Sequence, residues 1–107
     1  EKNKIKDGFC LVYTPHATAA LTINENADVN IALDFLEALD KMIPKGKWRH
    51  DKIDNNGAAH IKAALIGPDV MIPVKNSALT LGTWQGIMLC EFDGPRERKI
   101  IVKTASN

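Results

Sequence analysis

The segment GFCLVYTPHATAALTINE, residues 8–25, predicts two strands in close succession. Residues 9–14 form a near-continuous apolar run, which is typical of a buried strand, and a proline ends the run. Residues 19–24 then alternate well enough between apolar and polar side chains to indicate a second strand. The fold therefore begins with a pair of strands.

The middle of the chain is predicted to be helical. A helix can be capped by Asp28 or Asn30 and run to about Ile43, because apolar residues recur there at helical spacing. We expect its apolar stripe to lie on a sheet as a lid. A polar loop at residues 45–57 follows, and an alanine-rich segment at residues 58–65 predicts a second, shorter helix.

The last third of the chain reads as β-structure. Strands are predicted at residues 70–74, 79–81, 83–92 and 99–104. Pro73 cannot donate to a sheet ladder, which indicates an edge or a bulge, and the turn at residues 93–96 predicts a hairpin between the last two strands. The fold class is therefore α+β: one domain, an antiparallel or mixed β-sheet sandwich, one longer helix and one short helix.

Composition limits the function classes. The 107 residues suit a single domain, and 14 basic against 13 acidic side chains argue against a nucleic-acid partner. No apolar run is long enough to span a membrane, so no membrane partner is expected. Cys10 and Cys90 lie in apolar strand-like runs and are interpreted as buried free thiols of a cytoplasmic protein; a disulfide between them is the alternative.

The three histidines, His16, His50 and His60, each lie near the end of a predicted element, where open sites form. Three imidazoles with a vacant fourth position match one kind of catalytic zinc site, and imidazole also suits acid–base chemistry. The spacing is neither His-x-His nor His-Glu-x-x-His, so spacing alone leaves three separate surface histidines as the favoured alternative. Asp51 or Glu25 could orient one of the rings.

Other polar residues leave two interpretations open. Glu91 interrupts an apolar strand, so it either faces solvent or needs a buried partner. Lys62 is either solvated or holds an anionic substrate beside His60. Trp84 suits a core or a contact between subunits better than a ligand platform. The basic residues of the last turn are interpreted as an exposed hairpin surface: Arg96, Arg98, Lys99 and Lys103.

Three segments, in order along the chain, resemble the signatures of the YjbQ family. They are TPHATAALTINEN at 14–26, then WRHD at 48–51 with NN at 55–56 and AHIKA at 59–63, then GTWQG at 82–86 with EFDG at 91–94. The match runs from about residue 8 to residue 102. Two positions depart from the family pattern: Ala17 replaces a usual hydroxyl residue, and Ala58 replaces a common Asp or His.

The resemblance implies a small α+β protein that forms a homotrimer, with an N-terminal segment that this chain lacks. It also implies a pocket for a divalent metal, expected to be zinc, or magnesium with a diphosphate substrate, and for a small anionic or phosphorylated substrate. Carried over by position, catalytic roles fall on Glu25, His50, Asp51, Lys62, Gln85 and Glu91, ligand-binding roles on Asn24, Asn26 and Trp84, and metal binding on His16, His50 and His60.

The family's physiological function is largely unknown, and its enzymatic label is a weak, secondary thiamine-phosphate synthase activity. That reaction joins a pyrimidine methyl diphosphate to a thiazole phosphate and releases pyrophosphate. The resemblance therefore predicts either a transferase of this type or, alternatively, a non-catalytic trimer that binds a metal or a metabolite.

Overall fold

A computed structural model describes residues 5–107 as two helices and six strands. A short 3-10 turn, Arg49–Lys52, lies in the loop between the helices. The elements are, in chain order, β1 (Gly8–Tyr13), β2 (Ala19–Glu25), α1 (Val29–Met42), α2 (Gly57–Ile66), β3 (Asp69–Lys75), β4 (Ala78–Leu79), β5 (Gln85–Glu91) and β6 (Ile101–Ser106). The predicted α+β class is confirmed.

Two antiparallel sheets organise the strands. The larger sheet has the order β4-β3-β1-β6, and the smaller contains β2 and β5. The core lies between them, where Cys10 and Val12 of β1 and Ile72 of β3 meet Leu21 of β2. Cys10 and Cys90 are both buried and free, which confirms the interpretation of two unpaired thiols.

The predicted hairpin between the last two strands is wrong. β5 pairs with β2, with Ala19 opposite Glu91, whereas β6 pairs with β1, with Tyr13 opposite Ile101. The two strands therefore belong to different sheets, and residues 92–100 carry the chain from one sheet to the other. A local turn signal cannot reveal this, because the partner of each strand is chosen by tertiary packing.

The edge expected from Pro73 is wrong, because β3 stands between β4 and β1 in the larger sheet. The Pro73 carbonyl accepts from the N–H of Thr80, so its ring nitrogen also faces away from β1, on the side of β4. β4 pairs only with Val74 and Lys75, so the absent N–H breaks no ladder bond at Pro73.

Helix α1 covers the smaller sheet with a different row of side chains from the expected one. Leu39 is buried, and Ile31 and Phe35, which precede it at four-residue spacing, are half-buried. Val29 and Leu33 of the predicted stripe are exposed instead. The helix is amphipathic, as predicted, but the row of side chains that packs against the protein lies beside the predicted row. Across residues 5–107, no helix is both long enough and apolar enough to cross a membrane.

Candidate functional site

Three loops meet at one end of the smaller sheet and enclose an open cavity of about 670 Å³. The first joins β1 to β2 and supplies His16. The second leads into α2 and supplies Asn56 and, one turn into the helix, His60. The third follows β5 and supplies Arg96 and Arg98. Each of these cavity residues lies within, or shortly after, one of the three segments that resemble the family signatures.

His16 is held by the backbone of the third loop. The N–H of Lys99 donates to Nε2 of His16 at 2.8 Å, and Oγ1 of Thr14 donates to the Lys99 carbonyl at 3.0 Å. A nitrogen that accepts a hydrogen bond carries no proton, so the neutral ring bears its proton on Nδ1. The hydrogen bond therefore fixes the tautomer of the neutral His16 ring, which lines the cavity.

The other two histidines contact each other. The rings of His50 and His60 lie edge to face, with centroids 4.6 Å apart. Nε2 of His50 lies 3.6 Å from Oδ2 of Asp54 at the rim, and His60 lines the cavity together with His16. Two of the three histidines, His16 and His60, thus line the cavity, and His50 lies against His60.

Asp51 stabilises the loop that carries His50 and does not contact the cavity. Its carboxylate accepts from the backbone N–H of Trp48 at 3.0 Å and of Gly57 at 2.7 Å. These two hydrogen bonds hold the pKa of Asp51 below its ordinary value, with smaller contributions from the charge of His50 and from a backbone hydrogen bond of Gly46. The carboxylate expected to orient a histidine instead ties the loop to the start of α2.

Glu91 has a buried partner, which sequence reasoning missed. Both carboxylate oxygens accept from the guanidinium of Arg98, which also donates to Oγ1 of Thr18 at 3.0 Å. Only 7% of the Arg98 side chain is exposed, so its assignment to an exposed hairpin surface is wrong. The pair lowers the pKa of Glu91 and raises that of Arg98. A Cβ at Gly94 would lie 2.6 Å from Cδ of Glu91, so a side chain there would displace the carboxylate from its position against Arg98.

A second pair in the same wall was also missed. Nδ2 of Asn56 donates to Oδ2 of Asp93 at 2.8 Å, and Arg96 donates to the same oxygen at 3.0 Å. The Asn56 hydrogen bond is the main cause of a lowered pKa at Asp93. Because a carboxylate only accepts, the amide nitrogen must face Asp93, which fixes the orientation of Asn56. One feature of the sequence could have indicated this pair, namely that Asp93 directly precedes a Gly-Pro turn.

Five predicted site residues lie at the opposite end of the β2–β5 ladder: Asn24, Glu25, Asn26, Trp84 and Gln85. Glu25 pairs with Gln85, whereas the cavity lies beyond the pair formed by Ala19 and Glu91. Six residues of strand separate the two ends by about 20 Å. Within one chain, the structure therefore divides the predicted site into two groups.

Lys62 lies on the face of α2 opposite to His60. Its side chain is buried, its ammonium forms an ion pair with Asp40 of α1, and its Nζ lies 5.8 Å from the centre of the Phe92 ring. Residues two apart on a helix point in different directions, which explains why proximity in sequence to His60 did not bring Lys62 to the cavity.

The arrangement does not fit the expected three-histidine metal set. Among residues 5–107, no group of three His, Cys, Asp or Glu side chains could hold a metal ion. Nε2 of His16 is moreover engaged by a backbone N–H. The polar groups instead form a wall of directed donors and acceptors, suited to hydrogen bonding and proton transfer.

Comparison with known sequences gives the family. The family model described as "UPF0047 protein YjbQ-like" matches residues 1–107. This chain belongs to the YjbQ family. A UPF0047 protein of Archaeoglobus fulgidus is 52% identical over 99 residues, which cover 92% of this chain and 78% of the relative. YugU of Bacillus subtilis is 43% identical over 106 residues, covering 96% of this chain and 78% of the relative.

Solved structures of YjbQ relatives share the fold. A YjbQ/UPF0047 family protein of Clostridium acetobutylicum superposes with a TM-score of 0.90 at 50% identity, covering 94% of this chain and 78% of that one. A protein of Sulfolobus solfataricus, described as YbjQ-like and of unknown function, gives a TM-score of 0.92 at 37% identity, covering 96% and 75%.

Proposed function

We propose that the cavity between His16 and His60 binds a small phosphorylated anion and performs acid–base chemistry on it. The observation that carries the proposal is the fixed Nδ1–H tautomer of His16 in a wall that also contains His60, Arg96 and Arg98. Imidazole and guanidinium N–H groups are the side-chain donors that recognise phosphate oxygens.

Neighbouring acids hold both guanidiniums in position. Glu91 and Thr18 orient Arg98, and Asp93 orients Arg96, so little conformational freedom is lost when an anion binds. Arg98 is buried, with its Nε and Nη2 bonded to Glu91 and Thr18, whereas Arg96 is exposed and, within residues 5–107, bonds to the side chain and backbone of Asp93. Arg96 is therefore the guanidinium that we expect to contact the ligand.

The finer proposal is the thiamine-phosphate synthase type of transfer implied by the resemblance. There the bond between the pyrimidine methylene and the diphosphate breaks, the diphosphate leaves with the electron pair, and the methylene bonds to the thiazole. His60 or the Nδ1–H of His16 would donate a hydrogen bond to the departing diphosphate, which lowers the barrier by stabilising the charge that develops. The alternative is a binding protein that uses the same donors without turnover.

Calorimetric titration with pyrophosphate tests the binding proposal. Replacing Arg96→Met should weaken binding about tenfold, the cost of one charge-assisted contact. The matched control is Lys75→Met, an exposed cation at the far end of β3, which should leave binding unchanged. Equal affinities of the two variants, or no binding by the wild type, would contradict the proposal.

Steady-state turnover of the two thiamine precursors separates catalysis from binding. A transferase should release pyrophosphate slowly, and His60→Ala should reduce the rate at least tenfold while pyrophosphate still binds. A rate that is negligible in the wild type and unchanged in His60→Ala would favour the binding protein.

The zinc ion, or magnesium with a diphosphate, stays a prediction of the resemblance. Elemental analysis of the purified chain tests it directly, because a bound metal should decrease in the His60→Ala variant. An unchanged metal content in that variant would contradict a histidine-held metal.

We also propose self-association, with the homotrimer as the expected state. Its support is the outer face of the larger sheet, where Phe9, Met71 and Ile101 are exposed on neighbouring strands. Contiguous apolar surface of this kind marks contact sites. The reducing cytoplasm, where free thiols persist, is the compartment that we propose.

A further inference from the structure

The cavity wall does not itself attract an anion over long distances. Three carboxylates and two guanidiniums line it, and each guanidinium is already paired with an acid. Opposite charges at such short range cancel beyond a few ångströms. Directed hydrogen bonds can hold a phosphate there, but a field that draws it in has to come from neighbouring groups.

The loop that precedes the cavity carries such a field. Residues 45–52, called the basic loop below, contain four Lys or Arg side chains and a single acid: Lys45, Lys47, Arg49, Lys52 and Asp51. All four cations are exposed, and within residues 5–107 none of them forms an ion pair or a side-chain hydrogen bond. The one acid is occupied by backbone N–H groups.

The basic loop is compact and fixed against the cavity. Nε1 of Trp48 donates to the Pro44 carbonyl at 2.7 Å, and Asp51 joins the loop to Gly57 at the start of α2. The ring of His50, between Arg49 and Asp51, contacts His60 of the cavity wall. Lys52 is two residues from Asp54, which also lines the cavity. The contact of His50 with His60 and the position of Asp54 therefore place the basic loop beside the rim of the cavity.

We propose that the basic loop is an electrostatic steering surface that draws multiply charged anions, of the diphosphate type, into the cavity. This inference rests on the proposed function and adds the charge class of the ligand and the surface that selects it. The attraction from a field of this kind is proportional to the charge of the ligand, so a diphosphate gains more affinity than a monoanion. It also weakens steeply as salt screens the loop.

The test is the affinity for pyrophosphate in two double variants of equal net charge. Lys47→Glu with Lys52→Glu reverses two rim charges; Lys6→Glu with Lys75→Glu reverses two exposed charges at the far end of the larger sheet. At about 20 mM salt the rim variant should bind pyrophosphate about tenfold more weakly than the wild type, and this gap should close at about 0.5 M salt. The far variant should stay within about twofold of the wild type.

The outcomes separate the two proposals. If wild-type pyrophosphate binding is absent, both are overturned. If the wild type binds but the two double variants weaken binding equally, or the rim variant leaves it unchanged at low salt, the steering surface is overturned and the cavity proposal stands. Far-ultraviolet circular dichroism of both variants confirms that each is folded.

Discussion

At the scale of single residues, Asp51 controls the loop beside the cavity, and its role depends on pH. Because hydrogen bonds from Trp48 and Gly57 lower its pKa in the folded chain, its stabilisation is present above pH 4 and is lost as the pH falls through the folded value. Asp51→Asn should therefore lower the melting temperature at pH 7, with a smaller difference at pH 3. Asp34→Asn, on the exposed surface of α1, should leave the melting temperature unchanged at both pH values. An equal loss of melting temperature in Asp51→Asn at pH 7 and at pH 3 would contradict this role.

Glu91 balances a guanidinium that is 7% exposed. Glu91→Gln removes the charge that holds Arg98 and should lower the free energy of unfolding by about 1–3 kcal/mol, as for a charged group left without its partner. Urea denaturation measures this, with Glu97→Gln as the exposed control. Equal midpoints for the two variants would show that the pair does not stabilise the fold.

The predictability of these residues differs for a physical reason. His16 and His60 could be assigned from chemistry and position, since imidazoles at the ends of elements are candidates by themselves. Arg98 could not, because its burial depends on the packing of Thr18, 80 residues away in sequence, and of Glu91, which lies across the turn that follows β5. The identity of a basic residue gives its charge but not its exposure.

At the scale of elements, strands were predictable and their partners were not. Periodicity located β2 and β5 to within a few residues, whereas the hairpin between β5 and β6 failed because residues 92–100 cross between sheets. The antiparallel ladder also separates Glu25 from the cavity, a distance that no local motif encodes.

The ion pair between the helices gives an asymmetric prediction. Lys62 is buried, whereas 67% of the Asp40 side chain is exposed, so the cost depends on which partner is lost. Asp40→Asn leaves a buried ammonium without its carboxylate and should cost about 1–3 kcal/mol. Lys62→Met leaves Asp40 to be solvated and should cost under about 1 kcal/mol. Urea denaturation of both variants decides, and the reverse order would contradict the burial argument.

At the scale of the whole molecule, the outer face of the larger sheet predicts assembly. Met71 is 59% exposed beside Leu11 of β1. A buried charge at this position would disrupt a contact between copies, so Met71→Glu should dissociate the oligomer. Light scattering should give three chain masses for the wild type and one for the variant. Leu65→Glu, an exposed apolar position on α2, is the control; a monomeric wild type would contradict the assembly.

Whole-chain composition also concealed an asymmetry. The nearly neutral total, 14 basic against 13 acidic residues, is correct as an average. It nevertheless includes a loop beside the cavity whose four cations form no ion pair within the described residues 5–107. The net charge indicates which partners the whole surface attracts, whereas steering depends on where the charges lie.

We expect His16 to present its Nδ1–H to an anion bound in the cavity, and nitrogen-15 NMR of the histidine rings can locate this proton. Nε2 of His16 should be unprotonated in the free protein at neutral pH, and the ring signals of His16 and His60 should shift when pyrophosphate is added. A proton on Nε2 of His16 in the free protein, or pyrophosphate shifts that leave both rings unmoved, would contradict this expectation.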